Sequence, residues 1–136
     1  MSEPISISER PGGKYTNDVR SSRHHLYADE PVDLGGADLG PSPYEYLCAA
    51  LGACTSITLR MYADRKKWPV SHISVDVSHS KEIHGDGIKR DVFTRMISVQ
   101  GDLDETQHAR MIEIANRCPV HRTLEAGSDV ITKAAH

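Results

Sequence analysis

One tryptophan, one phenylalanine and three cysteines are all that the 136 residues hold of those types. With apolar residues at 38%, Tyr and Cys included, the core is lean for a chain best read as one domain over residues 1–136. Such a core is expected to borrow cover from a second copy. Basic runs are short as well. The longest, Arg65-Lys66-Lys67, falls where a helix should end and complements its dipole. A net charge of −3 with scattered Lys and Arg excludes a nucleic-acid face, which needs its cations gathered on one side. Gly and Thr break the most apolar run, Cys48 to Leu59, so it is too short to span a bilayer. The opening "MSEPISISERPGGKY" holds no apolar segment of the secretory kind. An odd number of widely spaced cysteines makes no disulfide scaffold. The expectation is a cytoplasmic protein whose thiols rest reduced.

What is there falls into an order of strands, a helix, a hairpin, a helix pair and a final strand. Ile5 and Ile7 alternate ahead of "RPGG", a strong turn signal. Lys14 to Arg20 and Arg23 to Ala28 then read as two strands joined by "RSS". The stretch "DEPVDLGGADLGPSP", Asp29 to Pro43, is a loop long enough to suggest a functional or interface role. Its glycines lack the strand and helix context of a phosphate loop and serve as turn residues. Further on, Ile73, Val75 and Val77 alternate, as do Val92, Thr94, Met96 and Ser98, with "HGDGIKR" between them as a hairpin loop. "DETQHARMIEIANR" opens with an Asp104-x-x-Gln107 cap signal and reads as a second helix. "PVHRTLEAG" is a shorter third with Pro119 at its first position and Gly127 at its end. "DVITKA" reads as the last strand.

The main helix has the clearest start. Ser42 serves as N-cap, Pro43 as first residue, and Glu45 completes an S-x-x-E capping box. Leu47, Leu51, Cys54, Thr58 and Met61 recur at steps of three and four, so Cys54 shares the leucines' face. Trp68-Pro69 stops the helix, because proline cannot continue it and restricts the residue before it.

The thiols are where chemistry is to be sought. Cys118 precedes Pro119 and so caps the third helix, where unpaired amides and the positive dipole end favour a thiolate. The competing reading is a buried cysteine acting as a small hydrophobe. Cys54 lies mid-helix between core packing and chemistry, with small Gly52 and Ala53 allowing close approach by a neighbour. Cys48 sits about 240° away around the helix and reads as core. Cys118-x-x-His121 with His79 and His84 lacks the second pair that zinc requires, so no metal is expected. "HRTLE" and the other histidines show no triad order and read as surface or capping residues.

The stretches "DEPVDLGGADLGPSPYEYLCAALGACT", "LRMYADRKKWP", "GDLDE" and "CPVHRTLE" resemble the OsmC/Ohr family of osmotically inducible protein C and organic hydroperoxide resistance proteins. The likeness runs from Tyr27 to Lys133 and is nearest to a branch with "ADEP…GPSPYE" and "CPVHRTLE" signatures. Cys54, in the "AAxxAC" stretch, and Cys118, before a proline, occupy the places of the family's cysteine pair.

The resemblance implies an α+β, OsmC-like fold: a strongly bent antiparallel sheet packed on a long central helix, in an intertwined homodimer with sites at the subunit interface. It implies reduction of organic hydroperoxides, with Cys54 as the peroxidatic thiol and Cys118 as the resolving one. An external dithiol, in the family a lipoylated protein, would reopen the disulfide. No cofactor, nucleic acid or membrane is implied. Peroxidase members activate the first thiol with an Arg near the N-terminus and a Glu at the start of the central helix. The Glu position holds Tyr44, with Glu45 next to it, so Glu45 is divided between catalysis and capping. Arg10, Arg20, Arg23 and Lys14 compete for the Arg, and Arg23 is taken. The alternative is a non-catalytic dimer of this fold that binds an apolar small molecule or senses redox state.

Overall fold

The turn and cap signals recover most of the elements. The structure is a computed structural model that describes residues 3–135. The chain divides into two compact units, Met1–Leu47 and Cys48–His136.

In the first unit, β1 (Ser6–Glu9), β2 (Asn17–Arg20) and β3 (His25–Ala28) form an antiparallel meander in that order. "RPGG" turns the chain between β1 and β2 with Gly12 at φ 82°, and the Arg10 amide closes the hairpin onto Thr16 O at 2.9 Å. The strands are shorter than the alternation suggested, because β3 begins only after the Ser21–His24 turn, where Ser21 N donates to His24 O. The long loop is ordered by one carboxylate. Buried Asp29 accepts from the Thr16 hydroxyl at 2.7 Å and from the amides of Glu30, Ala37 and Leu39. Glycine is needed where this loop folds back: a Cβ on Gly36 would sit 1.9 Å from Glu30 O, and one on Gly40 2.2 Å from Tyr27 O.

The Thr16 hydroxyl, against the cost of burial and with help from the three amides, holds the Asp29 carboxyl below its ordinary pKa. A carboxylate depressed in the folded state adds stability above its unfolded pKa of about 4, and that stability is lost as pH falls through the lower folded value. Wild type should therefore lose melting temperature on acidification below about pH 4 more steeply than Asp29→Asn. Parallel acid-titrated melts check it, and equal slopes would remove Asp29 from this role.

Helix α1 runs Pro43–Lys66. Its capping box forms as read, with Ser42 N donating to Glu45 Oε1 at 3.0 Å and Glu45 N to Ser42 Oγ at 3.4 Å. Its end is a Schellman motif built on a non-glycine residue. Lys67 takes φ 58°, its amide bonds Asp64 O, and the Trp68 amide bonds Ala63 O. Trp68 then meets Tyr62 edge-on, centroids 5.4 Å apart.

In the second unit, β4 (Val70–Ile83) and β5 (Lys89–Gly101) form one long antiparallel hairpin, followed by α2 (Glu105–Ala115) and α3 (Pro119–Ala126). The α2 capping box between Asp104 and Gln107 is complete. Leu59, Tyr62 and Ala63 of α1 join Val70, Met111, Ile114 and Ala115 in the core, with Trp68, Ile73, Ile97, Val99 and Leu103 around them.

Three expectations need correction. The α1 stripe is rotated: Leu51, Thr55, Leu59, Tyr62 and Ala63 are buried, whereas Leu47 and Met61 are 41% and 67% exposed. Apolar residues continue around the helix through Ala50 and Ile57, so their spacing gives a period without a phase. On β5 the half-buried residues are Val92 and then Phe93, Arg95, Ile97 and Val99, while Met96 faces out at 69% exposure. Both faces of that strand carry apolar residues in sequence, and pairing with Ile73 and Val75 decides between them. Finally, "DVITKA" forms no strand; it is irregular, with Val130 89% exposed. Its alternation alone supplies no pairing edge.

Candidate active site

Two chain breaks put a thiol beside a helix. After α2, the amides of Arg117 and Cys118 bond back to Ile114 O and Ala115 O, and Pro119 then forces Cys118 out of helical geometry at φ −56°, ψ 130°. Cys118 is thereby the N-cap of α3 and is fully buried at 0% exposure. Its side chain neighbours that of Cys54, half-buried on α1, closely enough for each thiol to shift the pKa of the other. Both are free thiols. Cys48 is half-buried elsewhere, on the wall of a shallow cavity with Gly52, Ala53, Val75 and Val77.

The pair is electrically asymmetric. Burial pushes the Cys54 thiol above its ordinary range, and its neighbour Cys118 pushes the same way. The Val120 amide and the Thr58 hydroxyl oppose this without reversing it. Burial also penalises a Cys118 thiolate, but there the Cys54 thiol, the His121 amide, the Thr55 hydroxyl and the Val120 amide outweigh it, and the net shift is downward. The helix-start amides approach the sulfur without closing a strict cap hydrogen bond. They favour its negative form nonetheless, as expected at a helix N-terminus.

A cation stands behind the pair, and it comes from the hairpin. Arg95 Nη1 donates to Thr55 Oγ1 and to Ala115 O, each at 3.0 Å. Nη2 donates to Asn116 Oδ1 at 3.2 Å and to His121 Nδ1. An arginine cannot accept, so His121 Nδ1 carries the lone pair, and its Nε2–H points to Glu125 Oε2 at 3.2 Å. Sequence reasoning did not single out Arg95, Thr55 or His121 as partners of the thiols. The available signal was an arginine on the same strand face as Phe93, Ile97 and Val99, since a charge on a core-facing stripe requires acceptors. Beside Arg95 and His121 lies a cavity of about 290 Å³, also lined by Leu51, Val92, Phe93 and Leu124.

Arg23 and Glu45 belong to the first unit. Arg23 is exposed in the turn before β3. Glu45 is exposed and engaged as a cap; the Ser42 amide, then the Ser42 hydroxyl, lower its pKa. Arg10 spans Tyr27, with its Nη1 3.0 Å from the Tyr27 hydroxyl, and lies 3.5 Å from Asp18.

A family model described as OsmC-like protein matches residues 35–133. Among solved structures, an OsmC-like protein from Mycoplasma pneumoniae superposes with TM-score 0.71 at 21% identity, covering 92% of this chain and 89% of that one. The organic hydroperoxide resistance protein OsmC of Legionella pneumophila gives 0.66 at 16% identity, covering 90% and 89%. An organic hydroperoxide resistance protein from Elizabethkingia anophelis, with thiocyanate bound, gives 0.63 at 20%, covering 90% and 91%. These likenesses establish the fold. Among curated protein sequences none matches significantly.

Proposed function

The chain belongs to the OsmC-like protein family, and on that premise we propose that it reduces organic hydroperoxides through a Cys54–Cys118 redox pair. The observation that supports this reading is the side-by-side placement of a half-buried and a fully buried thiol. Cys54, the more accessible sulfur, attacks the peroxide. An S–O bond forms, the O–O bond breaks, the alkoxide leaves as alcohol with the proton that Cys118 took from Cys54, and Cys54 becomes a sulfenic acid. The Cys118 sulfur then displaces water from that sulfenic acid and closes a disulfide. Before the attack, the Cys54 proton passes to Cys118, the better-stabilised thiolate. An external dithiol, a lipoylated protein in keeping with the family resemblance, reduces the disulfide by exchange. Arg23 and Glu45 enter this reading as the activating Arg and Glu.

One test is direct. Protein treated with cumene hydroperoxide and mapped by mass spectrometry should yield a Cys54–Cys118 disulfide, and dithiol should be consumed only when peroxide is present. Two thiols left intact after peroxide treatment would refute the reading. The raised Cys54 thiol favours the second reading, a slow thiol in a dimer that binds an apolar small molecule. That reading gains if the 290 Å³ cavity takes up ligand while dithiol consumption stays at background.

The working unit in this proposal is a homodimer in the cytoplasm. Ile57 and Met61 on α1 and Met96 on β5, at 55%, 67% and 69% exposure, are apolar side chains that a second copy would cover. Light scattering at micromolar concentration should give about twice the 15.0 kDa chain mass. A single-chain mass would sink the dimer.

A further inference from the structure

We propose that Arg95 is a positioning residue that governs Cys118 through the hydroxyl of Thr55. The proposal rests on the thiol-pair reading above and adds to it a group that touches neither peroxide nor sulfur. Thr55 and Cys118 are both fully buried, so water does not stabilise a charge on that sulfur. The Thr55 hydroxyl donates to Leu51 O at 2.7 Å, and it also favours the thiolate form of the neighbouring Cys118. Its oxygen accepts from the Arg95 guanidinium at 3.0 Å. A hydroxyl that accepts from a cation becomes a stronger donor, and at the buried Thr55 oxygen that polarisation is screened less than in water. Arg95 thus lends part of its charge to Cys118 one bond removed.

The same guanidinium ties down the segment that carries Cys118. Its bonds to Ala115 O, Asn116 Oδ1 and His121 Nδ1 bracket the chain on both sides of that residue. They hold the start of α3, whose Val120 and His121 amides favour the thiolate. When Cys118 becomes part of the disulfide its charge is gone, and the Thr55 proton turns fully to Leu51 O. The hydroxyl therefore has a partner in both redox states, and neither state leaves it buried and unpaired.

The test is a titration that does not depend on turnover. In a Cys48→Ala background, ultraviolet thiolate absorbance follows the pair in otherwise wild-type protein, Arg95→Gln, Arg95→Lys, Thr55→Val and the Arg95→Gln/Thr55→Val double variant. The charged and titratable groups around Cys118 are Cys54 on α1, Arg95 on β5, His121 with Glu125 on α3, and the adjacent Arg117. All but Arg95 stay constant across the series. The first thiolate step should move up by about one pH unit in Arg95→Gln and in Thr55→Val. The double variant should move no further than Arg95→Gln alone, because Thr55 acts on Cys118 through the bond it accepts from Arg95. Arg95→Lys should recover part of the shift. An unmoved step in Thr55→Val, or shifts that add in the double variant, would overturn the proposal. Thr55→Val keeps the buried shape and decides the matter if Arg95→Gln melts too early to titrate. Dithiol consumption is assayed alongside: an inactive wild type refutes the peroxide reading while the titration still tests Arg95.

Discussion

Cys54→Ser is expected to abolish peroxide-dependent dithiol consumption, by roughly a thousandfold or more, since removing a nucleophile leaves only the uncatalysed background. A serine hydroxyl has no accessible anionic form near neutral pH and no redox chemistry, so neither the attack nor the disulfide survives. Cys118→Ser should behave differently. The attack runs more slowly without Cys118 to take the Cys54 proton, but one peroxide is still consumed per chain, and the sulfenic acid on Cys54 accumulates where dimedone traps it. The raised Cys54 thiol adds a sign: because its proton leaves at higher pH than that of a free cysteine, the wild-type initial rate should climb with pH beyond neutrality. Equal activity in Cys54→Ser and wild type would end the enzyme reading. A Cys118→Ser protein without a trappable sulfenic acid would remove Cys54 from the peroxidatic role.

That difference between the two thiols was only partly legible in the sequence. Local chemistry wrote itself plainly: Pro119 puts Cys118 at a helix start, and the Ser42–Glu45 and Asp104–Gln107 boxes mark two other helix starts. These signals depend on neighbours along the chain, and tertiary packing does not override them. Phase was not legible. Whether α1 buries Cys54 or Thr55, and whether β5 turns Met96 or Arg95 inward, is decided by partners far away in sequence, and each element is apolar on more than one side. The cation behind the thiols was missed for that reason. Its four acceptors come from α1, the end of α2, the connection to α3 and α3 itself. No spacing along the chain announces such a convergence.

Packing of that same helix carries the largest expected stability effect. Leu59 is 0% exposed and lies among Tyr62, Val70, Met111 and Ile114, on the turn after Thr55. Leu59→Ala should cost about 3 kcal/mol, combining the lost transfer energy with the cavity left between α1 and α2. Against a total stability of about 5–15 kcal/mol this is a large fraction. Denaturant unfolding at fixed protein concentration, with an unchanged slope, measures it. Met61→Ala, one helical position from the buried stripe and 67% exposed, is the informative partner. In an isolated chain it should cost at most about 0.5 kcal/mol. Across a dimer interface it loses buried area, so its cost should rise and its scattering mass should fall toward the single chain on dilution. A Leu59→Ala protein as stable as wild type would mean that the Thr55 side of α1 is not packed as described. The site would then lose its footing too, because the buried Leu51–Thr55–Leu59 stripe is what presents Thr55 to Arg95 and Cys118.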